Sequence, residues 1–182
     1  MLGLALASVA VSAAPVIAHT PYGQWVVYRK KHLLVGAHRG DPRTYELAKS
    51  VDAGLARELP GAQARVARGP RPQRIASLIG TGQLFLTVLS RDEAQRMADA
   101  AAPFETYSPT PVHAVADLGG DYLLFAAPTF PDQHANLVAQ AVYHSGLGRR
   151  PGPGVAEIHP GAALYWSTLG DEVNFMKVGE NI

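Results

Sequence analysis

The sequence predicts an α/β fold: a three-layer αβα lobe on a mostly parallel sheet of about five strands. Three observations predict it. Apolar runs of strand length recur along the chain, as in His32–Ala37 (HLLVGA), Leu84–Leu89 (LFLTVL) and Tyr122–Ala127 (YLLFAA). Segments with helical spacing and start signals stand between them. Turns rich in Gly and Pro mark most of the junctions. Strands alternating with helices imply a parallel sheet covered on both faces.

The elements follow in order. Trp25–Tyr28 is a short apolar stretch, read as an edge strand or a lead-in segment. His32–Ala37 is a buried strand ending at the polar turn His38-Arg39-Gly40-Asp41-Pro42. Asp41 as N-cap and Pro42 at the first helical position then start a helix over 43–58. Its apolar positions Leu47, Val51, Leu55 and Leu59 recur every four residues, and Pro60-Gly61 stops it. Ala62–Ala67 is a second, more polar strand, followed by the turn Gly69-Pro70-Arg71-Pro72 and a short helix over 73–79. After the strand Leu84–Leu89, Ser90 with Glu93 makes a capping box for a helix reaching about Ala102. Val112–Leu118 and Tyr122–Ala127 are strands joined by Gly119-Gly120-Asp121, and Phe130-Pro131-Asp132 opens a helix to about Ser145. A Gly/Pro/Arg loop over 146–156 and a short helix Pro160–Leu169 with a tail complete the chain.

Residues 1–18 read as an address rather than as fold. Leu2–Ala18 carries no charge and is almost wholly apolar, with small residues at Ser12, Ala13, Ala14 and Ala18. This suits a secretory signal or an uncleaved membrane anchor. A buried N-terminal helix is the alternative, and such helices normally keep a polar face. Residues 19–31 form a lead-in, and 32–145 form the lobe.

Composition excludes several classes. The formal charge is +1, too weak to argue for nucleic acid. The absence of Cys removes disulfides, thiolate nucleophiles and Cys-bound zinc. The seven histidines show no HxH or HExxH spacing, and His134 and His144 are ten apart on one helix, so no metal is implied. No GxSxG elbow, GxGxxG or Walker A follows a strand, and no cofactor or enzymatic activity is indicated. Tyr165-Trp166 reads as core packing.

Three collinear stretches carry a family resemblance. They are HLLVGAHRGDPRTYELAKSVDAGLARELPGAQARVARG, RIASLIGTGQLFLTVL, and YLLFAAPTFPDQHANLVAQAVYHS followed by HPGAALYW. Together they resemble the TAXI family, the extracytoplasmic solute receptors of TRAP transporters. The resemblance implies a periplasmic-binding-protein-like lobe, exported or tethered to the inner membrane. It would bind a small carboxylate or amino acid for a TRAP permease. The departures are specific. The family's second lobe would be inserted where only Gly119-Gly120-Asp121 stands, so that lobe is missing. One of the paired tyrosines is kept as Tyr45 and the other is Thr44. The Gly-rich turn after the first strand is His38-Arg39-Gly40-Asp41-Pro42, the turn after the second is Gly69-Pro70-Arg71, and Phe85 stands at the acidic position before the third.

In such sheets ligands bind beyond the carboxyl ends of the strands, so loops 37–43, 68–72 and 89–92 are expected to share one rim. His38, Arg39, Asp41 and Tyr45 are candidate ligand contacts in the first loop, where a helix N-terminus and an Arg suit a carboxylate. Asp41 capping its own helix and pairing with Arg39 is the competing reading. Arg68 and Arg71 are a candidate carboxylate clamp, against a solvated loop, and Ser90 heads the third loop. The alternative function is a membrane-tethered accessory protein that uses the single lobe as a protein-binding scaffold. Its partner would be another membrane protein or a second copy covering the exposed lobe face.

Overall fold

In the computed structural model the apolar runs become a five-stranded sheet in the order β2-β1-β3-β5-β4. The strands are β1 (Leu34–His38), β2 (Arg65–Gly69), β3 (Leu86–Ser90), β4 (His113–Gly119) and β5 (Tyr122–Ala126). The structure describes residues 22–152 and 157–179. The signal or anchor expected at 1–18, and part of the Gly/Pro loop, lie outside them. β1 runs parallel to β2, with Leu34 opposite Arg65 and His38 opposite Gly69, and parallel to β3. β5 is antiparallel to β3, and β4 is antiparallel to β5, so β4 points the same way as β1–β3.

Alternation along the strands divides the core into two layers. On one face Val35, Ala37, Leu86, Val88, Leu124 and Ala126 pack under helices α2 (Pro42–Glu58), α5 (Asp132–His144) and α6 (Pro160–Gly179). On the other, Leu89, Leu123 and Phe125 pack under α3 (Pro72–Gly80) and α4 (Arg91–Ala98). Each fully buried Leu, Ile, Val or Phe contributes about 1.5–3 kcal/mol, so these two layers hold the lobe together. This is the single αβα lobe that the pattern predicts. The hairpin Gly119-Gly120, with both residues at positive φ (90° and 60°), joins β4 directly to β5.

The start signals act as read. Asp41 Oδ1 accepts from the Arg43 N–H at 2.9 Å, with Pro42 in the first turn of α2. Ser90 Oγ accepts from the Glu93 N–H at 3.2 Å. Four differences are the largest. Trp25–Tyr28 is no strand: it lies within α1 (Tyr22–Lys31), whose last turn is Arg29-Lys30-Lys31. Cations there complement the negative end of the helix dipole. β2 starts at Arg65 because Pro60–Ala62 forms a 3-10 turn and Gln63 takes a left-handed conformation. α4 stops at Ala98, with Ala100 at φ 49°. α6 continues past Leu169 to Gly179, a stretch with no proline to end it.

The carboxyl-terminal segment covers the β4 edge. The N–H of Ala114 donates to the Glu157 carbonyl (2.8 Å), and that of Asp117 to the Arg149 carbonyl (2.9 Å). The indole N–H of Trp166 donates to the Val115 carbonyl (2.8 Å), fixing α6 on the sheet. His159, just before α6, is fully buried; burial lowers its pKa, against the opposing pull of Asp132. A Cβ at Gly161 would overlap the Asp132 carbonyl, so only glycine allows α6 to meet α5 this closely.

Candidate functional site

The strand ends place the predicted loops together. β1, β2 and β3 finish side by side at His38, Gly69 and Ser90, and the Arg39 N–H donates to the Gly69 carbonyl at 3.0 Å. On this carboxyl edge several of the side chains pair with one another. His38 is buried, and its Nε2 lies 3.2 Å from the Glu93 carboxylate. Asp41, besides capping α2, accepts a 2.6 Å hydrogen bond from the Tyr122 hydroxyl through Oδ2. That bond, then burial, pushes the Tyr122 phenol up to about 12. The Arg68 guanidinium stacks on the Tyr45 ring at 4.2 Å, and Lys49 Nζ lies 4.9 Å from the ring centroid. Ser90 Oγ is used as a cap. Arg39 and Arg71 are exposed, and the Arg71 side chain makes no capping bond at the head of α3.

This arrangement weighs against an anion at the carboxyl edge. An incoming carboxylate at the head of α2 would displace Asp41. It would forfeit a cap worth about 1 kcal/mol and a charge-assisted hydrogen bond worth about 1.5–3 kcal/mol. Tyr122 and Glu93 were not among the predicted site residues. Glu93 was visible in the capping box, where its reach to His38 carries no spacing signal. Beside this network, Arg91 ties the hairpin down through Asp117 (3.0 Å), itself buried and accepting from the Gly119 N–H (2.8 Å).

The open site lies at the opposite, amino edge. A cavity of about 750 Å³ is bounded by the start of β1 (Leu33, Leu34), the turn Leu59–Ala62, the approach to β3 (Gly82, Gln83, Phe85) and α5 (His134, Leu137, Val138). Phe85 and Phe130 line it with ring centroids 5.8 Å apart, and His134 stands 5.8 Å from Phe130. The volume falls in the range of roughly 300–1,000 Å³ typical of small-molecule sites. Phe85 (38%) and Leu137 (42%) keep much of their surface accessible, unlike the apolar residues of the core.

The charged part of the lining has one sign. Arg29, Lys30 and Lys31 supply it, His32 and His134 stand beside them, and no Asp or Glu lines the cavity. Arg29, Lys30 and Lys31 form no ion pair among the described residues. His32 fixes this end of α1 to the body, its Nδ1 2.9 Å from the Gln63 carbonyl. An apolar hollow flanked by cations is complementary in chemistry to an apolar body carrying an anionic group.

No known family model matches this chain, and no curated protein matches it. Among the described residues no helix is long and apolar enough to cross a membrane. Among the same residues no group of three or more His, Asp or Glu side chains is placed to hold a metal ion.

Proposed function

We propose that the chain is a non-catalytic binding lobe, resembling the substrate-binding unit of a TRAP transporter, whose ligand is an amphiphilic carboxylate seated in the amino-edge cavity. The observation that carries this reading is the pairing of an apolar hollow of about 750 Å³ with a lining that is cationic and free of carboxylates. Each methylene buried contributes about 0.8 kcal/mol, so a ten-carbon chain gains several times more from burial than from an exposed ion pair at 0–1 kcal/mol. The tail would supply affinity, and the cations would choose and orient the head. On this reading the protein works outside the cytoplasmic membrane, exported or tethered through residues 1–18. It would pass its ligand to a membrane carrier of the TRAP permease type.

Fluorescence titration with parinaric acid tests this, with decanoate, decanol and decyltrimethylammonium as competitors. Saturable binding at one site is expected, displaced best by decanoate, less well by decanol and least by the cation. Absence of saturable binding, or equal competition by the ammonium compound, overturns the reading.

A second reading has its own observation. Leu164 on α6 is 63% exposed and Tyr143 on α5 is 41% exposed. These apolar positions suit the accessory-protein alternative, in which the lobe is a scaffold for a protein partner or a second copy. Sedimentation velocity separates the two forms: a dimer lost in Leu164→Asp supports self-association, and a monomer in both variants excludes it.

A further inference from the structure

We propose that the amino-edge face docks on an anionic lipid bilayer, with Arg29, Lys30 and Lys31 on the headgroups. The cavity lined by those same residues would then face the membrane from which its ligand comes. This rests on the amphiphile reading above and adds a partner to it.

Three observations support it. The first is the arrangement of charge. Arg29, Lys30 and Lys31 are consecutive in the last turn of α1, so at about 100° per residue they fan over more than half of the helix circumference. Lys30 and Lys31 are exposed, and none of the three is neutralised within the described residues. The whole chain carries only +1, so this is a local patch. Nucleic acid would call for a strongly basic domain, which a chain of charge +1 is not, whereas an anionic headgroup layer attracts each Lys or Arg beside it by about 1 kcal/mol.

The second support is reach, on the anchor reading of residues 1–18 proposed above. The apolar run ends at Ala18, three residues separate it from α1, and α1 has ten residues. Three extended residues span at most about 11 Å, and ten helical residues about 15 Å. With Leu2–Ala18 in a bilayer, the basic turn stays within about 26 Å of the surface.

The third is shared lining. The basic turn and the apolar wall of Leu33, Phe85 and Leu137 bound one cavity. A surface that brings the cations to the headgroups therefore brings the cavity to the same interface, where an amphiphilic carboxylate is concentrated.

The chain contains no Cys, so a single introduced thiol can be labelled uniquely. Gly61 lines the cavity, is exposed, and has open space where its Cβ would stand. Full-length Gly61→Cys, labelled with a nitrobenzoxadiazole fluorophore, is mixed with vesicles of phosphatidylcholine alone or with phosphatidylglycerol. A blue-shifted emission, quenched by spin-labelled lipid, is expected only on the anionic vesicles. It should disappear near 1 M salt, where the Debye length is ~3 Å. Each cation contributes roughly fivefold to partitioning, so Arg29→Glu with Lys30→Glu and Lys31→Glu should weaken it by about 100-fold or more. Equal emission on neutral and anionic vesicles, or a response that survives the triple reversal, overturns the docking.

Binding of parinaric acid by the parent chain, without vesicles, is measured alongside. If it is retained with no vesicle response, docking fails and the cavity reading stands. A vesicle response without parinaric acid binding keeps the docking and overturns the cavity reading.

Discussion

The two ends of the parallel strands are built on opposite plans. At the carboxyl edge Asp41 pairs with Tyr122 and His38 with Glu93. At the amino edge Arg29, Lys30 and Lys31 form no ion pair among the described residues and stand beside an apolar hollow. A charged residue in a loop can be a ligand's partner or the neighbour's partner, and only a three-dimensional inventory separates the two. The contrast predicts a division of labour. Changes at the carboxyl edge should cost stability and leave binding alone, and changes at the amino edge should do the reverse.

The largest expected effect tests the filled edge. Asp41→Ala removes the α2 cap, worth about 1 kcal/mol, and leaves the Tyr122 hydroxyl without its charged acceptor, at about 1.5 kcal/mol or more. A loss of roughly 2–3 kcal/mol should appear as a lower midpoint in urea at unchanged slope. The parinaric acid affinity should stay the same. A tenfold fall in that affinity with little loss of stability would return the ligand to the carboxyl edge.

The next effect tests the open edge. Ala62 is half-buried and lines the cavity. Ala62→Trp should occupy ligand space and weaken parinaric acid binding at least tenfold, which is about 1.4 kcal/mol. The urea midpoint should move little, because the new ring enters space that is already open. Unchanged binding in a folded variant would exclude this cavity as the seat.

Much of the lobe was legible in the sequence because its signals are local. The Asp41-Pro42 start and the Ser90 cap are set within a few residues and form as read, while the Glu93 carboxylate turns to His38 instead of closing the box. The alternation in β5 sorts Leu124 from Phe125 between the two core layers. The three carboxyl-edge loops followed from the handedness of the crossovers. What was not legible is long-range. Tyr122 meets Asp41 across 81 residues, and no spacing rule links a hairpin tyrosine to a helix cap. The amino-edge cavity draws on segments near positions 30, 60, 85 and 134, each ordinary by itself. Phe85 stood out only as a departure from an acidic position, and its partner Phe130 read as the lead-in to a helix. Trp25–Tyr28 misled because Val26-Val27 suits a strand; the basic residues after them favour the helix end instead.

The smallest expected effect is a titration that should touch one edge alone. The Tyr122 phenol holds its proton to about 12 in the folded protein, whereas an unfolded tyrosine releases it near pH 10. Between those values the unfolded state binds fewer protons, so stability falls as pH rises. The contribution is complete below pH ~10 and lost toward pH ~12. Tyr122→Phe should cost about 1.5 kcal/mol at neutral pH. It should also lose less stability than the parent through the alkaline window, measured as urea midpoints at each pH. Parinaric acid binding should be the same in parent and variant across that window, because Asp41 and Tyr122 do not line the cavity. A difference in binding that tracks the phenol would show that the two edges are coupled through the sheet. The carboxyl edge would then control access to the cavity opposite, and the division of labour would fail.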